Sequence, residues 1–307
     1  MITIVLGTAL TFTSNNWWLA WLGMELNLLG FISFVSKYYN NESVFKYFII
    51  QSLGSIILLR SFISVDINYF LFNRLILIAL LLKLGASPFH FWLPVIVEHF
   101  NSFQLFIILT WQKIAPLILI ISLTFNKLIF IRLIFRLIVG SVGNINELRV
   151  FIMYTYSSIS HTGWLIVSSI INEHVCMLYL IIYSIILLTV ILYINKKFVR
   201  DHWYKLNLIY FLNILSLGGL PPFTGFFIKW IIIKELINIR SLLILSILII
   251  TRILLIYIYL RLTLIGFIKT NFKKLFIINN KYNIFITFVS IINLPILLII
   301  YCIFSIT

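Results

Sequence analysis

"LLKLGASPFHFWLP", residues 81–94, places a lysine, a glycine, two prolines and a histidine inside one apolar run. In water such a stretch would be ordinary. In lipid each of these residues costs free energy, so the solvent around the chain decides how it is read. Of the 307 residues, 62% are hydrophobic and 10% charged, with a mean hydropathy of +1.13, and long apolar runs recur from end to end. A mainly apolar run of 18 or more residues crosses a hydrocarbon core about 30 Å thick as a helix. Backbone groups in lipid must be satisfied internally, which excludes open sheet. Blocks of Leu, Ile and Phe without period-two alternation also exclude a barrel. The expected fold class is therefore an all-α polytopic membrane protein.

Working outward from residue 81, the chain divides into about eleven spans: 1–14, 17–36, 44–63, 67–98, 102–124, 127–145, 148–170, 174–194, 206–236, 241–266 and 284–306. The longest connections, 195–205 and 267–283, are too short to fold alone, so residues 1–307 are expected to form a single membrane domain. The net charge of +15 does not indicate nucleic acid, because the basic residues are scattered singly or in short clusters beside spans. The N-terminal side of the membrane collects eleven Lys and Arg and the other side seven. That bias puts the N-terminus inside and, with eleven spans, the C-terminus outside. The chain starts directly in an apolar stretch, without a cleavable signal. Its use of Ile, Leu, Phe, Asn, Tyr and Lys fits an A+T-rich genome. Together these two features point to a protein made beside an organelle membrane. Cys176 and Cys302 lie in separate apolar segments and read as small buried hydrophobes, not as a disulfide or metal pair.

Two spans are too long and carry proline near their middle. The fourth is expected to break around Ser87–Pro88, and the ninth within "SLGGLPPFTGF", residues 216–226. Proline removes a helix hydrogen bond and clashes with the preceding turn, and neighbouring glycines let the backbone unwind. Unwound backbone survives in a membrane only where it is packed in protein or lines a wet cavity. The breaks lie five spans apart, so they cross the membrane in opposite directions. Paired breaks of opposite direction are the sequence trace of an antiporter-like inverted repeat and mark ion pathways.

Four ionisable residues fall near mid-depth: Glu25 in "WLGMELNLLGF", Lys83 before the first break, Lys113 in "LTWQKIAPL", and Lys229 in "GFFIKW" after the second. A membrane lysine can snorkel along its stem to the interface. Lys113, with about ten residues of span on each side, is too deep for that to be the simple reading. Burial in a poorly hydrated site disfavours the charged form of a lysine, and ionisable groups inside membranes are candidate proton relays. Glu25 is the one acid at that depth and the natural partner of one lysine. Separating a buried ion pair costs about 3–5 kcal/mol, while moving one charge through 100 mV costs about 2.3 kcal/mol. The two are comparable, so opening one pair can gate one proton.

His161, in "YSSISHTGW" among Ser157, Ser158, Ser160 and Thr162, is a further candidate: the hydroxyl run either holds a water wire or serves as packing glue between helices. His90 follows the first break and borders the same region. Arg252 lies within span ten with no obvious acidic partner, Arg261 sits near the inside end, and Arg132 and Arg136 are four apart on span six. A dinucleotide fingerprint, a phosphate-binding loop and a metal cluster are all missing from the sequence, so no redox or ATP chemistry is expected in this chain.

Five stretches carry a family resemblance in order: "GMELNLLGF" (23–31), "KLGASPFHFWLP" (83–94), "TWQKIAPL" (110–117), "YSSISHTGW" (156–164) and "LSLGGLPPFTGFFIKW" (215–230). The chain closely resembles the NADH-ubiquinone oxidoreductase chain 2 family, the antiporter-like membrane subunits of mitochondrial complex I. Its eleven spans resemble the short animal form, which lacks three N-terminal helices of the fourteen-helix relatives. The resemblance implies a Glu25–Lys83 ion pair in one half-channel, Lys113 as the central lysine and Lys229 near the other half-channel. It implies a place in the mitochondrial inner membrane, N-terminus in the matrix and C-terminus in the intermembrane space. Neighbours would be other membrane-arm subunits, accessory subunits and phospholipids such as cardiolipin. This chain would hold no cofactor; NADH, FMN, iron–sulfur clusters and ubiquinone would act elsewhere in the complex. A free-standing cation/proton antiporter is the competing reading.

Overall fold

The computed structural model describes residues 1–36, 41–63, 69–123, 137–147, 149–193, 208–221 and 223–269. The described residues form thirteen helices: α1 (Ile2–Thr13), α2 (Trp17–Val35), α3 (Asn41–Ile63), α4 (Tyr69–Leu84), α5 (Trp92–Val97), α6 (Ser102–Leu109), α7 (Trp111–Ile121), α8 (Leu137–Gly143), α9 (Val150–Ile171), α10 (Glu173–Tyr193), α11 (Leu208–Gly218), α12 (Thr224–Asn238) and α13 (Leu242–Lys269). Among them, five segments are long and apolar enough to cross a membrane: Trp17–Ser36, Glu42–Ile63, Ser102–Ile121, Glu173–Leu192 and Leu242–Leu264. Most of the expected sixth span, with Arg132 and Arg136, and all of the eleventh, with Cys302, lie outside the described residues.

Both expected breaks are present, and the same device makes them. At the first, α4 stops at Leu84, Gly85 takes φ 64°, and the Gly85 and Ala86 amides donate back to the Leu82 and Leu81 carbonyls. At the second, α11 stops at Gly218, Gly219 takes φ 79°, and the Gly219 and Leu220 amides donate back to Leu215 and Ser216. A left-handed residue followed by an amide reaching back five positions is a Schellman end, which glycine adopts without Cβ strain. The chain re-enters helix as α5 and α12. The break in span four thus begins two residues before Ser87–Pro88, at the glycine. Span five also departs from a straight helix: Thr110 (φ −120°, ψ −70°) separates α6 from α7.

Helix α9 is the axis of the bundle. It packs against α5, α7, α8, α10, α12 and α13, and eighteen of its 22 residues are buried. Its hydroxyls would be costly in a dry setting if unpaired. Thr155, Ser157, Ser158, Ser160, Thr162 and Ser168 each donate to the carbonyl three residues back, at 2.5–2.9 Å. The run therefore keeps its donors within its own helix, while its small side chains let neighbours approach closely.

The outer surface is the reverse of a soluble protein's. On α13, Ile250, Ile253, Tyr257, Leu260 and Leu264 form an exposed stripe at helical spacing, while Thr251, Leu255, Ile258, Tyr259 and Leu262 face inward. The short α1 also has a packing role. A Cβ on Gly7 would meet the Asn27 amide nitrogen at 2.6 Å, and one on Gly23 the Gly7 carbonyl at 2.8 Å, so α1 and α2 touch backbone to backbone.

The tightest crossing lies at the second break, where a Cβ on Gly225 would fall onto the Ser216 carbonyl. At Gly218 the nearest group is a Tyr259 ring carbon at 3.2 Å, a side chain and not backbone. Gly225→Ala is therefore expected to destabilise the fold by about 3 kcal/mol or more through forced backbone movement, and Gly218→Ala by much less. Thermal unfolding of the two variants in detergent checks this; equal melting temperatures would contradict it.

Candidate functional site

The first break brings Lys83 to Glu25. Lys83 sits in the last turn of α4, and its Nζ lies 3.3 Å from Glu25 Oε1 on α2. The Lys83 side chain is 4% exposed and that of Glu25 24%, so the pair joins a dry group to one nearer the surface. Two α3 residues shape the contact. Gly54 leaves room for the lysine stem, since a Cβ there would meet Lys83 Cγ at 3.0 Å. Gln51 donates its amide to the Lys83 carbonyl at 3.2 Å, supplying one of the partners that the end of α4 lacks.

A second polar cluster, of Asn27, Gln112 and Tyr47, lies between α2, α3 and α7. Asn27 accepts from Gln112 Nε2 at 3.2 Å, and Tyr47 OH reaches Gln112 Oε1 at 3.5 Å. Gln112 directly precedes Lys113 on α7. Lys113 is 2% exposed and donates to the Ser158 carbonyl on α9 at 3.0 Å, with its ammonium 5.6 Å from the centre of the Tyr183 ring. Carbonyl oxygen and aromatic face both answer a positive charge. Lys113 therefore does not snorkel; it is held at the centre of the bundle.

One helical turn beyond Ser158 stands His161. Its Nδ1 lies 2.7 Å from Tyr179 OH on α10, its ring packs 4.7 Å from that of Tyr183, and its Nε2 is buried with no hydrogen-bond partner. That ring lies within electrostatic reach of both Lys113 and Lys229. His161, Tyr179, Tyr183, Ser216 and Lys229 line a cavity of about 10 Å³, close to the room that one water centre needs. The Tyr183 hydroxyl is likewise buried without a partner.

Lys229 is 1% exposed on α12. Its ammonium donates to the Leu217 and Gly218 carbonyls at 3.1 and 3.2 Å. These are last-turn carbonyls of α11, which have no partner within their own helix and carry the negative end of the helix dipole. The two broken helices thus each place a lysine at a half-helix C-terminus.

Of the five sequence-derived candidates, Lys113, His161 and Lys229 are brought together around α9, within electrostatic reach of one another through His161, while Glu25 and Lys83 pair between α2 and the end of α4. His90 is buried beside the first break, with its ring against Phe91 and Tyr156, and makes no contact with the four charged members. Arg252 has a carbonyl partner in place of an acid, Gly219 O at 2.8 Å. Arg261 reaches toward the Glu147 carbonyl at 3.5 Å. Asn27, Gln112, Tyr47, Tyr179 and Tyr183 were not anticipated. The one signal available in advance was their polarity or hydroxyl within apolar spans, which many packing residues share.

A family profile described as "NADH:quinone oxidoreductase/Mrp antiporter, TM" matches residues 62–255, which include both breaks and Lys83, Lys113, His161 and Lys229. The chain is 37% identical over 304 residues to the NADH-ubiquinone oxidoreductase chain 2 of Anopheles gambiae, covering 92% of this chain and 89% of that one. Its fold is similar to a chain of respiratory complex I from Thermus thermophilus with bound aureothin, with a TM-score of 0.77 at 21% identity, covering 86% of this chain and 68% of the other. It is also similar to a chain of an archaeal membrane-bound sulfane sulfur reductase, with a TM-score of 0.81 at 14% identity and coverage of 99% and 73%. On the profile match and the extent of the identity, the chain belongs to the NADH-ubiquinone oxidoreductase chain 2 family.

Proposed function

We propose that this chain is a proton-translocating core subunit of the membrane arm of respiratory complex I, in the mitochondrial inner membrane. As part of an NADH:ubiquinone reductase it couples electron transfer, carried out in other subunits, to proton movement through its buried Glu and Lys residues. The observation that carries this reading is the part-buried Glu25–Lys83 pair at 3.3 Å, together with two further lysines, Lys113 and Lys229, fully buried in the same bundle.

The chemistry follows from the geometry. While Glu25 holds Lys83, the ammonium is the favoured form there. Moving the carboxylate away leaves an unanswered buried cation, a change of about 3–5 kcal/mol, and that change favours release of a proton toward the interior. Lys113 receives it in a site where one carbonyl and one ring face stabilise the ammonium. His161 and the adjoining cavity then link Lys113 to Lys229. NADH, FMN, iron–sulfur clusters and ubiquinone act in other subunits, and this chain binds none of them. Its neighbours are other membrane-arm subunits, accessory subunits and phospholipids such as cardiolipin, which cover its apolar exterior. The N-terminus faces the matrix and the C-terminus the intermembrane space.

Glu25→Gln keeps the shape of the pair and removes its charge. In the assembled complex in sealed vesicles, NADH-driven pumping through this chain is expected to fall roughly tenfold, a conservative figure beside a pair worth about 3–5 kcal/mol. Lys113→Ala is expected to do the same; assembled complexes of either variant that pump normally would contradict the reading. Exchange of cations for protons by the purified chain alone in liposomes would favour the free-standing antiporter. Orientation is checked with terminal tags in mitoplasts: protease is expected to remove a C-terminal tag and spare an N-terminal one, and the reverse pattern would overturn the assignment.

A further inference from the structure

The unwound turn that ends α11 presents three consecutive carbonyls. Lys229 takes those of Leu217 and Gly218, and Arg252 of α13 takes that of Gly219, with Nη2 at 2.8 Å. The guanidinium also lies 4.7 Å from the centre of the Phe226 ring, on the first turn of α12. Two cations therefore dock on one turn. The ion pairs among the described residues are Lys46–Glu42, Lys83–Glu25 and Arg149–Glu98, and none includes Lys229 or Arg252. The two breaks are thus alike in backbone and opposite in charge: the first pairs its lysine with a carboxylate, the second sets its lysine beside a second cation.

We propose that Arg252 is a positioning residue for proton release at Lys229: a permanent positive charge, fixed on the turn that holds the lysine, that opposes the loaded ammonium and favours the neutral amine. The inference rests on the reading of Lys229 as a proton carrier. Arginine does not lose its proton in proteins, so its repulsion is present whenever Lys229 is loaded, whereas lysine can answer by giving its proton up. Carbonyl and ring fix where the guanidinium stands, so its field acts from one place. The other titratable groups around Lys229 are His161 from α9, with Lys113 of α7 within reach of the same ring, Tyr179 and Tyr183 from α10, and Tyr259 of α13, whose ring lies against Gly218. None of these is a fixed charge. Without Arg252, the Leu217 and Gly218 carbonyls would hold the ammonium unopposed.

The test is the pH profile of NADH-driven pumping in the assembled complex. Arg252→Gln keeps a donor for the Gly219 carbonyl and removes the charge, so the protonated lysine is favoured and the profile is expected to move to higher pH, by roughly one unit. Arg252→Lys restores the charge and is expected to return the profile toward that of the parent. An Arg252→Gln complex with the parental profile would overturn the inference. So would failure of that variant to assemble, since it would make Arg252 a structural brace. Lys229→Gln separates the two ideas: if it pumps normally, the carrier reading of Lys229 fails; if it is impaired while Arg252→Gln leaves the profile in place, only the role of Arg252 fails.

Discussion

An ammonium group stays inside a bilayer only where something nearby answers its charge, and the site depends on how three lysines are answered. Lys83 has a carboxylate, Lys113 a single carbonyl and a ring face, and Lys229 two carbonyls from the end of a half-helix. These are three strengths of the same stabilisation. A full ion pair holds a proton firmly, whereas a carbonyl supplies only part of a charge. A set graded in this way keeps charged groups in the membrane and still lets a proton move among them. Replacing any member by an apolar residue would remove a group that can carry a proton.

The backbone serves that requirement in two places. Interrupted helices are costly in lipid because they leave carbonyls unpaired. Here the unpaired carbonyls at α4 and α11 become the partners of Gln51, Lys229 and Arg252. The glycines at positions 85 and 219 permit the turns, and Gly225 permits the close crossing that brings α12 against α11. Between the two breaks, α9 contributes a face of small hydroxyl residues whose donors are satisfied within the helix, so Lys113 can approach it without leaving those donors open. Fold and site are built from the same residues.

The most legible parts of this arrangement were those where lipid makes a residue type expensive. Glu25, Lys83, Lys113 and Lys229 stand out because charge is rare at that depth, and the two breaks because proline falls near the middle of spans too long to be simple, although the first break begins at Gly85 and not at Pro88. What escaped notice was uncharged or answered by backbone. Asn27, Gln112 and Tyr47 bond to one another across α2, α3 and α7, yet a lone amide or phenol in an apolar span has no pattern of its own. Arg252 has no acid beside it in the sequence pattern, and its partner is the carbonyl of a glycine. Backbone oxygen exists at every position, so only the tertiary fold reveals which carbonyls are free. The bend at Thr110 escaped for a related reason: its hydroxyl bonds back to the Phe106 carbonyl, a contact that threonine also makes in straight helices.

The account turns on whether these groups form a continuous path for a proton. The most direct measurement is the pattern of ordered water in the assembled complex, from an electron cryomicroscopy map that resolves single molecules. Waters are predicted along Glu25, Gln112 and Lys113, and in the cavity that joins His161 Nε2 to Lys229. A dry, apolar gap between Lys113 and either neighbour, or lysines turned outward to lipid, would contradict it.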